Sequence, residues 1–107
     1  MERHEENPKG VTKADVVVGI PSYNEAATIV YPAQQAALGL RQYFPNVDSV
    51  IINCDNFSPD GTKDAFMNAD THGIPKMYLS TPKGVRGKGN NFRNLFKKAL
   101  DLKAKAI

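Results

Sequence analysis

The sequence has one cysteine, no tryptophan and no long apolar run. Because Cys54 stands alone, it cannot form an internal disulfide, which fits a reducing compartment. No apolar stretch approaches the roughly 20 residues that a membrane-spanning helix needs, so we expect no membrane span. The first ten residues, MERHEENPKG, are charged and lack the apolar segment of a secretory signal. We therefore expect a cytoplasmic protein.

The chain of 107 residues is long enough for one small domain. Its content of 41% hydrophobic and 23% charged residues is ordinary for a globular protein. Residues 1–14 are mostly polar, and segments of that composition bury too little apolar surface to fold. The sequence thus predicts a flexible tail over 1–14 and one domain over 15–107.

The charges are divided unevenly along the chain. Residues 1–75 carry five Lys or Arg against ten Asp or Glu, a balance of −5. Residues 76–107 carry nine Lys or Arg against one acid, Asp101, a balance of +8. A basic segment of this kind favours an anionic partner, but a solvated helix face has the same composition.

Apolar runs alternate with helical patterns along the sequence. Three runs predict strands: DVVVGI at 15–20, SVIINC at 49–54 and KMYLS at 76–80. A helix is predicted after each strand, and the last residues, AKAI, suit the start of a fourth strand. This order predicts an α/β fold, a Rossmann-like parallel sheet with helices on both faces.

The first and third helices are predicted from apolar residues spaced by three and four. The first stripe comprises Ile29, Ala33, Ala36, Ala37, Leu40 and Phe44, and the third comprises Phe92, Leu95, Phe96, Ala99 and Leu102. Phe92, Leu95 and Phe96 are expected in the core. The second helix is predicted from about Thr62 to His72, where Gly73 and Pro75 follow.

The start of the first helix has two interpretations. Ser22 and Glu25 have the spacing of a capping box, which favours a helix start there. Pro32 lies inside the helical pattern. Either the regular helix begins near Tyr31 with Pro32 in its first turn, or the helix kinks at Pro32.

Each predicted strand ends in a polar loop. In an open parallel sheet, ligands bind beyond the carboxyl ends of the strands. The third loop, TPKGVRGKGN at 81–90, combines glycines, cations and a following helix N-terminus, which favours an anion such as phosphate. In the second loop, Asp55 can accept hydrogen bonds from a base N–H or a ribose hydroxyl, or from the backbone N–H groups of its own turn. Asp60 and Gly61 are expected to shape the turn and cap the helix.

The three loops together resemble the GT-A glycosyltransferases that use nucleotide sugars, above all glycosyltransferase family 2. VVVGIPSYNEAATI is similar to the family's first strand and I-P-[TAS]-[YLK]-N-E loop, and INCDNFSPDGT is similar to V-V-D-D-G-S-T-D-G-T. PKGVRGKGNNFRNLFKKAL resembles the G-K-G-x-A-x-R-x-G segment of dolichyl-phosphate sugar synthases and of glucosyl-3-phosphoglycerate and mannosylglycerate synthases. The resemblance covers residues 15–107 and implies the N-terminal half of a GT-A fold.

The resemblance implies roles for residues in the first two loops. Pro21 would shape the wall of the nucleotide pocket. Tyr23 and Glu25 would lie beside the base, ribose and phosphates. Asp55 would meet the uracil or guanine base.

In the third loop, the resemblance implies contacts with the nucleotide's phosphates. Lys88 would contact the base or the diphosphate, and Gly87 and Gly89 would allow a close approach. Arg93 would add positive charge.

The chain also departs from the family pattern. Asn56 stands where an acid is usual and Phe57 where glycine is usual, while Asn90 and Asn91 stand where small residues are common. The family's metal-binding D-x-D is absent from these residues. It is expected downstream in a full-length enzyme, where it would hold Mg²⁺ or Mn²⁺.

The resemblance implies a glycosyltransferase that moves a sugar from a UDP- or GDP-sugar to an acceptor hydroxyl. These residues would hold the nucleotide-recognition half and have little activity alone. The alternative is an α/β module that binds nucleic acid or another polyanion through the basic C-terminal third, though the acidic first and second loops would repel phosphates. An exposed sheet edge would favour self-association.

Overall fold

The computed structural model describes residues 4–82 and 88–107, except for the side chains of His4 and Lys88. The fold is α/β, as predicted. In the described part, strands and helices follow one another in the order β1 His4–Glu6, β2 Val16–Ser22, α1 Val30–Tyr43, β3 Ser49–Asp55, α2 Thr62–Asn68, β4 Lys76–Ser80 and α3 Lys88–Asp101.

The strands form one sheet in the order β1-β4-β3-β2. β2, β3 and β4 are parallel, with β3 between the other two. β1 pairs with β4 in the antiparallel direction. The sheet is therefore mixed rather than wholly parallel, because residues expected in a tail add the antiparallel strand.

The N-terminal segment differs from the flexible tail expected over 1–14. Glu5 and Glu6 pair with β4, and their carboxylates also form ion pairs, to Lys98 at 3.1 Å and to Lys63 at 2.7 Å. Ala14 is fully buried. The composition of residues 1–14 does not reveal this arrangement. The segment is held by the backbone of the edge strand β4 and by two cations that are distant in sequence.

Helices cover both faces of the sheet. On one face, α3 packs on Val50, Ile52 and Cys54 of β3. On the other face, the side chain of Ile51 packs with residues of α1 and α2, among them Phe66. Because side chains of a strand alternate between faces, β3 supplies both layers of the core and is buried along its whole length.

Helix α3 is rotated relative to the expectation from its apolar stripe. Leu95 is buried as predicted, together with Ala99 and Leu102, but Phe92 and Phe96 are 42% and 51% exposed. The prediction that these two rings belong to the core is wrong. The stripe is wider than the surface that a helix can bury against one sheet, so part of it faces outward.

Helix α1 begins at Val30, so Pro32 is its third residue and lies in the first turn. This confirms the first of the two interpretations. The prediction of a capping box is wrong. Ile29 precedes the helix without a side-chain cap, and Ser22 is still part of β2.

Helix α2 ends at Asn68, earlier than predicted. Lys76 explains the early end. Its ammonium donates to the carbonyl oxygens of Phe66 at 3.1 Å and Met67 at 2.6 Å, and also to that of Ala69. A lysine that binds these last carbonyls is a favourable C-terminal cap.

Beyond α3 the chain returns to the sheet beside β2. Ala106 forms an isolated parallel bridge with Val16, and its carbonyl accepts a hydrogen bond of 2.9 Å from the Val17 N–H. At AKAI, where the sequence predicts a strand, the described residues thus form one isolated bridge and not a full strand. None of the described helices combines the length and the apolar character needed to cross a bilayer.

Candidate functional site

A hollow of about 290 Å³ lies at the carboxyl edge of the sheet. Its lining comes from the end of β2 with the loop that follows, from the residue after β3 and from the first turn of α3. The residues are Pro21, Ser22, Tyr23, Glu25, Asn56 and Asn91. Three residues predicted to bind the nucleotide, Pro21, Tyr23 and Glu25, therefore lie around one space.

Side chains of the second loop hold the backbone of the first loop in place. The Asn24 N–H donates to Ser58 Oγ at 2.8 Å, and the Glu25 N–H donates to Thr62 Oγ1 at 3.0 Å. The Ala26 N–H donates to Asp60 Oδ2 at 3.1 Å. These three bonds fix the loop that carries Tyr23 and Glu25.

Asp55 lies beneath these loops as a fully buried carboxylate. Its Oδ1 accepts from Ser22 Oγ at 2.8 Å and from Ser58 Oγ at 2.6 Å. Its Oδ2 accepts from the Ser58 N–H at 3.0 Å and from the Tyr78 hydroxyl at 2.6 Å. The local turn contact expected of Asp55 is present, and Asp55 is not among the residues that line the hollow.

Tyr78 completes this cluster from β4. Burial raises the pKa of the Tyr78 hydroxyl well above its ordinary value, and the hydrogen bond to Asp55 raises it further. Tyr78 therefore stays protonated at neutral pH and remains a hydrogen-bond donor. The donors from Ser22 and Tyr78 thus connect the end of β3 to the end of β2 and to the middle of β4.

Asp60 has the structural role predicted for it. Its Oδ1 accepts from the Thr62 N–H at 3.1 Å, at the start of α2, and from the Thr62 hydroxyl. The pKa of the Asp60 carboxyl is lowered, first by the Thr62 hydroxyl and also by the N–H groups of Ala26 and Thr62. Asp60 thus shapes the turn before α2, whose N-cap is Gly61, and also holds the first loop.

The predicted residues of the third loop are only partly described. Gly87 and the Lys88 side chain lie outside the described residues. Gly89 is exposed in the first turn of α3, and a Cβ built on it would have no other heavy atom within 4 Å. Arg93 is also exposed, with Nη1 3.5 Å from Asn90 Oδ1, and it does not line the hollow.

Asn56 and Asn91 are the lining residues to which sequence reasoning gave no role. They lie more than 30 positions apart in the sequence, and only the fold shows that they share a hollow. The available signal was their departure from the family pattern, because each replaces a residue type common there.

A second hollow of about 330 Å³ lies nearby, lined by Phe57, Ser58, Lys63, Tyr78 and Ser80. Ser58 and Tyr78 both bind Asp55, so the buried carboxylate supports this hollow too. Among the described lining residues the cation is Lys63, which pairs with Glu6 at 2.7 Å.

The described residues do not fit the metal that the resemblance implies. In the ranges 4–82 and 88–107, no group of three or more His, Cys, Asp or Glu is placed to hold a metal ion. We therefore assign no metal ligand to these residues.

Comparisons of the chain with protein-family models, curated proteins and solved structures give no significant match. The residues of the hollow and their geometry therefore carry the functional proposal.

Proposed function

We propose that this chain is the nucleotide-recognition part of a GT-A glycosyltransferase, which moves a sugar from a nucleoside-diphosphate sugar to an acceptor hydroxyl. The observation that carries the proposal is the hollow at the carboxyl edge. Pro21, Tyr23 and Glu25, to which the resemblance gives nucleotide contacts, line it together. Such edges are where open α/β sheets bind ligands.

The lining suits a base and a ribose. The rings of Pro21 and Tyr23 offer apolar surface against which a flat base can stack. The Glu25 carboxylate is an acceptor for ribose hydroxyls or a base N–H. In this proposal Asp55 is a positioning residue, since its oxygens are already bound by Ser22, Ser58 and Tyr78.

The diphosphate is assigned to the start of α3. Anions are stabilised at a helix N-terminus, and the sequence there supplies Gly87, Lys88 and Gly89, with Arg93 one turn further on. No step is assigned to the divalent metal that the resemblance implies, because the described residues offer no set of ligands for it.

Calorimetric titration of the chain with UDP and with GDP tests the proposal. We expect saturable binding of at least one nucleotide. Tyr23→Ala should weaken it about tenfold, because stacking of a base on an aromatic ring is worth about 1–3 kcal/mol. Tyr43→Ala is the matched control, since Tyr43 is 70% exposed at the end of α1. Absence of saturable binding to either nucleotide would contradict the proposal.

The second candidate is binding of nucleic acid or another polyanion through α3. Phe92 and Phe96 stack at a centroid distance of 6.5 Å, and both are exposed. Arg93 and Lys97 are exposed on the same helix. Aromatic rings beside cations are a frequent surface for single-stranded nucleic acid.

Salt dependence separates the two candidates. Binding to phosphates along a polyanion weakens steeply as salt rises, because it releases counterions. A Phe96→Ala, Lys97→Gln variant should lose oligonucleotide binding if the second candidate is right. It should leave UDP and GDP binding unchanged if the first is right.

Two further proposals concern assembly and location. Beyond the Val16–Ala106 bridge, the outer edge of β2 pairs with no strand among the described residues. Exposed edges attract further strands, so we propose self-association at this edge. Light scattering across a concentration series tests it, and a constant monomer mass would contradict it. A cytoplasmic location, which the lone cysteine favours, is also proposed.

A further inference from the structure

The first strand of the chain is attached to the sheet with little apolar contact. β1, His4–Glu6, contains no apolar residue and pairs with residues 78–80 of β4. Glu5 is exposed and Glu6 is half-buried, whereas β3 is buried along its whole length. Burial of apolar surface is the main source of stability in a folded domain, so it contributes little to the docking of β1.

Two ion pairs hold the side chains of β1. Glu5 lies 3.1 Å from Lys98 of α3, and Glu6 lies 2.7 Å from Lys63 of α2. Because successive side chains of a strand point to opposite faces of a sheet, these adjacent acids reach helices on the two sides. Glu6 and Lys63 are each 38% exposed, so their attraction is weak and is screened by salt.

The chain directly after β1 is fixed to the domain by other contacts. Asn7 closes a turn, since its Nδ2 donates to the Val11 carbonyl at 2.9 Å and its Oδ1 accepts from the Val11 N–H at 3.0 Å. Val11 packs against the core, and Ala14 is fully buried. An opening of β1 is therefore confined to the residues before this turn, and the turn keeps β1 close to β4 when it opens.

The position of β1 affects two features of the domain. β1 covers an edge of β4, and a free strand edge attracts further strands. Glu6 also binds Lys63, a lining residue of the second hollow. Tyr78 of that lining is the register partner of Glu6. Opening of β1 would thus uncover the β4 edge and release Lys63 beside the second hollow.

We propose that β1 is an electrostatic strap, which opens from β4 while the rest of the domain stays folded. The ion pairs Glu5–Lys98 and Glu6–Lys63 set how often the strap is open. High salt or the loss of either pair opens it. Segments with few buried apolar contacts open at a low free-energy cost, as units separate from the core. This inference is independent of the proposed function, because it involves no nucleotide.

Hydrogen exchange of backbone amides, followed by NMR on the full chain, tests the strap. In the wild type, the N–H groups that join residues 4–6 to residues 78–80 should exchange faster than those within β3. An increase in salt from about 0.01 M to about 1 M shortens the screening length from about 30 Å to about 3 Å. It should speed exchange in the strap severalfold relative to β3.

A charge swap distinguishes the ion pair from a merely structural contact. Glu6→Lys should speed exchange in the strap about tenfold, because the reversal removes an attraction and adds a repulsion. Lys63→Glu should have the same effect. The double variant Glu6→Lys, Lys63→Glu should return exchange to within about threefold of the wild type. Asp48→Asn, at an exposed acid in the α1–β3 connection, is the control and should leave the strap unchanged.

Three results would overturn the inference. Exchange of the strap at the rate of β3 would show that β1 opens only when the whole domain unfolds. Exchange that does not change with salt would show that charge does not hold β1, and so would a double variant in which the two single effects add. The salt series decides even if a variant does not fold, because it uses the wild type.

Discussion

Ser22 and Asp55 are register partners at the ends of two parallel strands, and the Ser22 hydroxyl donates to Asp55 Oδ1 at 2.8 Å. The bond joins the last residue of β2 to the last residue of β3. The two polar loops therefore leave the sheet side by side. Asp55 receives three further hydrogen bonds, so one buried carboxylate connects the residues that lie beneath the candidate site.

Asp55→Asn should lower the free energy of unfolding by about 2–4 kcal/mol. The amide replaces an acceptor with a donor, which then faces the hydroxyls and the N–H that bind Asp55. Urea denaturation measures the change. Asp64→Asn, on the exposed first turn of α2, is the control and should change stability by about 0.5 kcal/mol or less. Equal effects of the two variants would show that the buried cluster is not important for stability.

Asp60 should give the protein an acid-sensitive stability. Its pKa is lowered from 3.8 in the folded state, so its contribution is present above pH 3.8 and is lost as pH falls through the folded pKa. Asp60→Asn should be less stable than the wild type at neutral pH, and the difference should shrink below pH 3.8. Urea midpoints across this range measure it. A difference that stays constant with pH would contradict the assignment.

Gly19 gives Leu95 the space to pack against β2. A Cβ built on Gly19 would lie 2.7 Å from Leu95 Cδ1 and closer still to Cδ2. Gly19→Ala should therefore cost about 1–3 kcal/mol, because Leu95 must move. Gly39→Ala is the matched control inside α1, where a Cβ has no neighbour within 4 Å, and it should stabilise the protein by about 0.5–1 kcal/mol.

A double-mutant cycle checks the cause of the Gly19→Ala effect. Once Leu95→Ala removes the clashing atoms, adding Gly19→Ala should cost little. If the two changes are additive, the contact with Leu95 is not the reason.

Because of the orientation of α3, the neighbouring residues Leu95 and Phe96 should contribute unequally to the free energy of unfolding. Leu95→Ala should cost about 2–4 kcal/mol, since Leu95 is 6% exposed against the sheet. Phe96→Ala should cost about 1 kcal/mol or less, because half of Phe96 is exposed. Thermal or urea unfolding measures both, and a larger cost at Phe96 would contradict the observed rotation.

The sequence predicts the three parallel strands because their β-branched runs are long and end in clear turn signals. It does not predict β1, because three polar residues pair only when β4 offers a free edge and when Lys63 and Lys98 offer opposite charges. The rotation of α3 is also not predictable, since its apolar residues cover more of the helix than one sheet contact needs.

The candidate site is predictable in its location but not in its contacts. Pro21, Tyr23 and Glu25 follow a predicted strand, so the first loop is placed correctly at the sheet edge. The sequence leaves two roles open for Asp55, ligand contact or a structural hydrogen bond. The structural role depends in part on the Tyr78 hydroxyl, which is 23 positions away in the sequence. Asn91 is unpredictable for the same reason, since its neighbours in the hollow come from distant segments.

The most direct test of the account is to follow backbone amide resonances of the chain by NMR while UDP is added. We predict saturable shifts at residues 22–25, Asn56 and Asn91, which surround the hollow. Shifts confined to the exposed cations of α3 that do not saturate, or no shifts at all, would contradict it.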